Sequence, residues 1–289
     1  MSIKEKGYSH WNGEFKQGGL SWLPIVRWGI RLTFRKKFFK LLFFISLIPA
    51  IVFLVGIYIS ERLDDFRFMI RESTDFVQIN PAYFKIYFTN DFLLFMMVMI
   101  LVFCGAGLIA DDLRHNALQL YFSRPLKKKD YFLGKVSVIT FFLFLITLVP
   151  GIILFLMKLI FSGSFRFFAS YPWLPVSIII YSVFVTGFFS FYTLFLSSIS
   201  KNRRYVAIFI FGLYIFSDIL FGIFYGIFRS QYFGLLSIKS NIQQVGAAIF
   251  NQRTPYDFSW ILSLAVLLLF CLLSAVVLNK RVRGVEIIK

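Results

Sequence analysis

Acidic residues are scarce in this sequence, and so are the side chains that hold metals. Against 31 lysines and arginines stand 14 aspartates and glutamates, for a net charge of +17. The two cysteines, Cys104 and Cys271, both lie inside apolar runs. They form neither a disulfide framework nor a thiolate metal site. The two histidines, His10 and His115, stand far apart with no cysteine or histidine cluster beside them, so no metal is expected. No Ser/His/Asp set and no paired carboxylates at a shared site can be read, which argues against an enzyme. The phosphate-binding loop G-x-x-x-x-G-K-[ST] is missing too. Gly134-Lys135 is not one, because Val136 follows and no glycine stands five residues before Gly134. No nucleotide or other cofactor is therefore expected in this chain.

What the sequence has is apolar length. It is 58% hydrophobic with 40 phenylalanines, and its mean hydropathy is +0.76. A soluble domain of 289 residues could not hide that much apolar surface, whereas bilayer hydrocarbon can. A span needs roughly 20 apolar residues to cross about 30 Å of hydrocarbon. Six segments qualify: Leu41–Ser60, Phe92–Ala110, Tyr131–Ile160, Leu174–Ser200, Tyr205–Phe228 and Phe258–Leu278. The third is long enough to tilt, or to kink at Pro150-Gly151. The expected fold is an all-α integral membrane protein. It divides into an amphipathic leader (1–40), a six-span domain (41–278) and a tail (279–289). No cleavable signal is expected before the first span.

A charge of +17 would suit nucleic acid, but the basic residues lie between apolar runs, where lipid topology accounts for them. No nucleic-acid partner is expected. Of the 31 basic residues, 22 fall in the leader, the 111–135 loop, the 201–204 turn and the tail. That asymmetry predicts both termini and the 111–135 loop in the cytoplasm. The segments 61–91, 161–173 and 229–257 fall outside. The first of these holds six acids against four bases.

In the leader, Arg27, Arg31 and Arg35 recur every four residues, with Trp28 and Leu32 on a neighbouring line and Trp22, Ile25 and Val26 upstream. This is an amphipathic helix in the membrane interface. It is either a plain anchor or an elbow that also touches a cytoplasmic partner. The 111–135 loop reads DDLRHNALQLYFSRPLKKKDYF from Asp111 to Phe132. Asp112, Asn116, Gln119 and Ser123 make a polar stripe of one helix, and Leu113, Ala117, Leu118 and Tyr121 an apolar stripe. Asp111 and Asp112 suit a helix N-terminus, and Pro125 ends the helix by pushing Arg124 out of the α region. Such a helix rests its apolar face on membrane helices or on another protein. As a plain interfacial helix it would serve only topology, through Lys127–Lys129.

The string LIADDLRHNALQLYFSRPLKKKDYFLGK, Leu108 to Lys135, resembles the first cytoplasmic loop of type-2 ATP-binding-cassette exporter permeases. In that family an acid opens the helix, leucines follow, and a Ser-Arg-Pro step leads to a Tyr-x-x-(Gly)-Lys start of the third span. Here those positions are Asp112, Leu118, Leu120, Ser123-Arg124-Pro125, Tyr131 and Gly134-Lys135. Six spans with an amphipathic leader are similar to the same family, so the resemblance covers nearly the whole chain. Within the family the sequence looks closest to the branch that includes permeases of copper-enzyme maturation and gliding-motility systems. It departs from the pattern in having Asp112 where Glu is frequent, Asn116-Ala117 near a usual Gly-Thr pair, and Lys127-Lys128 for a small-basic pair.

The resemblance implies an elbow helix and a coupling helix between spans two and three. The coupling helix would dock in a separate ATP-binding-cassette ATPase subunit through Asp112, Leu113, Asn116, Leu118, Gln119, Leu120, Ser123, Arg124 and Pro125. It further implies two copies of that subunit carrying ATP and Mg, a second permease chain (the same or different), and residence in a bacterial or archaeal cytoplasmic membrane. Such exporters also fold short helices back into the outer leaflet, here in 229–257. The other functional classes are a non-transporting structural subunit of a larger membrane complex and a lipid-modifying enzyme.

In the fifth span, Tyr214, Asp218, Gly222 and Gly226 recur every four residues. Asp218 is the one acid deep in a span, and an ionised carboxylate there needs a partner, water or a proton. The Gly-x-x-x-Gly pair suits close helix packing. The face either packs within one subunit, with Asp218 bonded to a neighbour, or lines a pathway between two. Gly105, Ala106 and Gly107 in the second span share that ambiguity. Asp91 and Lys158 are expected to snorkel at the outer interface.

Overall fold

Six runs of the chain form helices long and apolar enough to cross a membrane: Lys37–Glu61, Asp91–Arg114, Lys128–Ser162, Leu174–Ile199, Arg203–Phe228 and Trp260–Arg281. They match the six expected segments, and the protein is an all-α integral membrane protein. The computed structural model describes residues 20–62, 79–122 and 127–282, with the backbone alone at 119, 120 and 122. Among the described residues there is no strand.

The leader forms α1 (Leu23–Phe34), with Pro24 in its first turn, where a missing N–H costs nothing. Lys36 is extended (φ −79°, ψ 119°), and the chain turns there into α2 (Lys37–Ser46). This turn joins the expected amphipathic helix to the first span. The rings of Phe34, Phe39 and Phe142 hold it, with centroids 5.2 Å apart for Phe34–Phe142 and 4.9 Å for Phe39–Phe142. Such pairs contribute about 0.5–1.5 kcal/mol each. The first span breaks at Leu47 before α3 (Ile48–Glu61). Pro49 stands in the first turn of α3, and a proline removes one helix bond and crowds the carbonyl four residues back.

After α4 (Pro81–Thr89), the second span comprises α5 (Asp91–Cys104) and α6 (Gly107–Arg114). A short α7 (Ala117–Phe122) follows. The third span is α8 (Lys128–Ile146) and α9 (Leu148–Ser162). Its bend falls at Thr147 rather than at Pro150-Gly151. The physical reason is that Pro150 conflicts with the carbonyl of Ile146, four residues earlier. That carbonyl accepts instead from the Tyr87 hydroxyl of α4, at 3.2 Å. Then come α10 (Arg166–Ser170), α11 (Leu174–Ile199), α12 (Arg203–Phe228), a 3-10 turn (Gln231–Leu236), α13 (Ile238–Ile249) and α14 (Trp260–Arg281).

Spans two, three and four make the centre, with 61%, 56% and 56% of their most apolar stretch buried. Spans one, five and six carry 17%, 22% and 22% and leave most of their surface for lipid or another chain. One end of the bundle bears α1, α6 and α7, and is called the leader end below. The opposite, distal end bears α4 and α13. There α13 is tucked inward. Its Asn241 and Gln244 are buried. Gln244 donates to the carbonyls of Tyr256 (3.0 Å) and Phe258 and accepts from Tyr256 N–H at 3.2 Å.

Candidate functional site

At the leader end, α1 lies against the third span. Gly29 and Gly134 permit this: a Cβ on Gly134 would stand 2.9 Å from Ile25, and one on Gly29 would stand 2.6 Å from Val138. Val26 and Thr33 are buried in the same contact, while Trp28 and Leu32 stay exposed.

The second span is interrupted at Gly105-Ala106. A helix break leaves backbone groups that need partners. Ser197 of α11, fully buried, supplies three of them. Its Oγ donates to the Ala106 carbonyl at 2.9 Å and accepts from the N–H groups of Ile109 (3.0 Å) and Ala110 (3.1 Å). The Phe103 carbonyl accepts from Lys36 Nζ at 2.8 Å and from Arg203 at 3.4 Å. Gly105 packs within the chain against Thr193, and Gly107 stands against Asp111 and Arg203.

The expected single helix over 111–123 is instead two. α6 ends at Arg114, and α7 begins at Ala117. Between them Asn116 has φ 52°, the left-handed region that Asn tolerates better than other side-chain-bearing residues. The stripe Asp112, Asn116, Gln119, Ser123 therefore does not run along one helix. Asp112 and Asp111 lie in the last turn of α6, not at an N-terminus. A carboxylate there is disfavoured by the helix dipole, and Asp112 is matched from outside. Lys135 Nζ stands 2.7 Å from Asp112 Oδ2, and the Tyr131 hydroxyl donates to the same oxygen at 2.7 Å. The two charged side chains are 8% and 14% exposed. Lys135 also faces the rings of Tyr131 (5.3 Å) and Tyr121 (5.8 Å). Burial, and then the Asp112 charge, push the Tyr121 hydroxyl above its usual pKa.

Three residues of the motif, Asp112, Tyr131 and Lys135, thus meet in one place, while Gly134 packs against Ile25 of α1. Leu118 is 7% exposed and belongs to the core, with Leu113 packed on its edge. Leu118 is thus covered within the chain. Among the described residues of the joint, Arg114, His115 and Asn116 are exposed. Gln119 and Leu120 lie on α7. Ser123, Arg124 and Pro125 lie outside the described residues.

At the distal end, Asp218 is paired. Its Oδ2 lies 2.8 Å from Lys239 Nζ, and its Oδ1 accepts from Ser237 Oγ at 3.0 Å. Lys239 also reaches Asp91, at 3.8 Å, and Gln243 donates to Asp91 at 2.7 Å. Burial lowers the Lys239 pKa, but the hydrogen bond and charge of Asp218, with Asp91 behind, outweigh it and hold the ammonium above its ordinary value. Spacing alone could not find Lys239, which comes from another element.

The four span-five residues do not share one environment. Tyr214 is buried, Asp218 is one-third exposed, and Gly222 and Gly226 are exposed with open space where a Cβ would be. Each step of four residues turns an α-helix about 40° past a full turn, so the row spirals from the core to the surface. The glycines therefore pack on nothing within the described chain. Lys158 does not snorkel. It is 11% exposed and paired with Glu61 of the first span. Asp91 is 70% exposed, as expected at an interface. Among the described residues no group of His, Cys, Asp and Glu is placed to hold a metal. Compared with protein-family models and with curated proteins, the chain matches none.

Proposed function

We propose that the chain is the membrane permease subunit of a type-2 ATP-binding-cassette transporter. Both termini and the α6–α7 joint would be cytoplasmic. The observation that carries this reading is the joint itself. It exposes a short tip, Arg114 to Asn116, yet its base is clasped to span three through Asp112–Lys135 and to span four through Ser197. A push on such a tip travels into three spans at once, as a coupling element requires. The push would come from a separate ATPase subunit, present in two copies and holding ATP and Mg. The chain has no phosphate loop of its own. The open α12 face with Gly222 and Gly226 suits close approach of a second permease chain. This chain hydrolyses nothing itself.

A cysteine replacing His115 tests the docking. In native membranes it should cross-link to a Walker-motif protein, with a yield that changes on ATP trapping. A cysteine at Ile86 of α4, at the distal end, should give no such product. Equal yields from both positions, or none from either, would contradict the reading.

A further inference from the structure

Between α1, the α5–α6 break and α8 lies a cleft of about 620 Å³. Its lining is divided. Ile25, Trp28, Leu32 and Val138 form an apolar wall, and Lys36, Arg203, Lys135, Asp111 and Asp112 form a charged end. Lys135 is matched by Asp112. Lys36 and Arg203 have no carboxylate within ion-pair distance among the described residues, and both lean on the one Phe103 carbonyl. Two cations on one oxygen repel. Burial and then the Arg203 charge hold the Lys36 pKa at about 8, with Asp111 compensating only in part. A half-buried cation without a counter-charge carries part of the cost of desolvation, and the lining carries three cations against two acids. An adjoining hollow adds Arg114 and Arg204.

Position identifies the class of anion. Lys36 is the residue before the first span begins at Lys37, so its ammonium sits at the headgroup boundary. The exposed Trp28 and Leu32 of an interfacial helix flank the opening, as amphipathic side chains do at that depth. A free phosphate would leave the apolar wall unused.

We propose that this cleft binds one anionic phospholipid, with its phosphodiester on Lys36 and Arg203 and an acyl chain along Ile25, Trp28 and Leu32. The site does not depend on the transport reading. It tethers the leader helix to the break in span two through a lipid shared by both.

The test uses the full chain in mild detergent, offered equal phosphatidylglycerol and phosphatidylcholine of the same acyl length, with retained lipid read by native mass spectrometry. One phosphatidylglycerol should be kept preferentially. Arg203→Gln and Lys36→Gln should each weaken retention roughly tenfold, the loss expected for one charge-assisted hydrogen bond. Lys129→Gln, at the same end but outside the cleft, should leave retention unchanged. Leu32→Trp keeps both cations and fills the apolar side. It should also expel the lipid, and it decides the matter if either charge variant does not fold. Millimolar inorganic phosphate should not displace the lipid. Displacement by phosphate would reassign the cations to a soluble anion and overturn the lipid site. Equal retention of the two lipids, or undiminished retention in Leu32→Trp, would overturn it as well.

Discussion

Asp112 is disfavoured by its helix and retained by Lys135 and Tyr131. Removing one partner of a buried ion pair leaves an uncompensated charge and costs about 3–5 kcal/mol, whereas removing both costs less. Lys135→Met alone should therefore destabilise the protein more than Lys135→Met with Asp112→Asn. Denaturation of the detergent-solubilised variants checks the order. Asn116 makes a second residue-scale prediction. Asn116→Gly should be tolerated, while Asn116→Val forces a β-branched side chain into the left-handed region, costing about 1–2 kcal/mol. Lys36 gives the third. Its folded pKa of about 8 lies below the ordinary 10.5, so burial of its charge weighs on stability below pH 8. The burden is relieved between about pH 8 and 10.5, where the unfolded lysine still binds a proton that the folded one has lost. In protein stripped of lipid, amine labelling of Lys36 should show a midpoint near pH 8, well below that of exposed lysines. Arg203 and Asp111 are the charged groups that bear on it.

At the scale of elements, the protein relies on cross-helix hydroxyls where its helices break. Ser197 serves the break in span two, and Tyr87 serves the proline bend in span three. Ser197→Ala leaves two N–H groups and a carbonyl buried without partners, at about 1–3 kcal/mol for each group not rescued. Tyr87→Phe orphans a single carbonyl and should cost less, which thermal unfolding of the two variants checks. The spans and the amphipathic leader helix were legible because hydrophobic length and a four-residue arginine repeat survive any tertiary context. The break at Asn116 was not legible. Asn fits a helix or a left-handed turn, and the decision falls to the clasp at Asp112. The candidate site read from the sequence held Asp112, while Tyr131 and Lys135 stood in the motif only as the start of the third span, and spacing could not say that the three touch. Asp218 was legible as an acid needing a partner. Lys239 was not legible as that partner, because nothing in the sequence sets how α13 folds back onto α12.

At the scale of the whole molecule, the central spans are occupied with one another while spans one, five and six stay largely uncovered. That distribution suits a subunit with mobile neighbours on its rim and a transmission path through its middle. The measurement that bears most directly on the account is purification of the chain from native membranes in mild detergent, with assay of ATP turnover by what accompanies it. The account predicts a co-purifying Walker-motif ATPase, equimolar with the chain. Its turnover should be retained but no longer respond to the permease when Asp112→Asn and Lys135→Met are introduced together. A preparation with no ATPase partner, or one whose turnover ignores the wild-type permease as fully as the doubly substituted one, would contradict it.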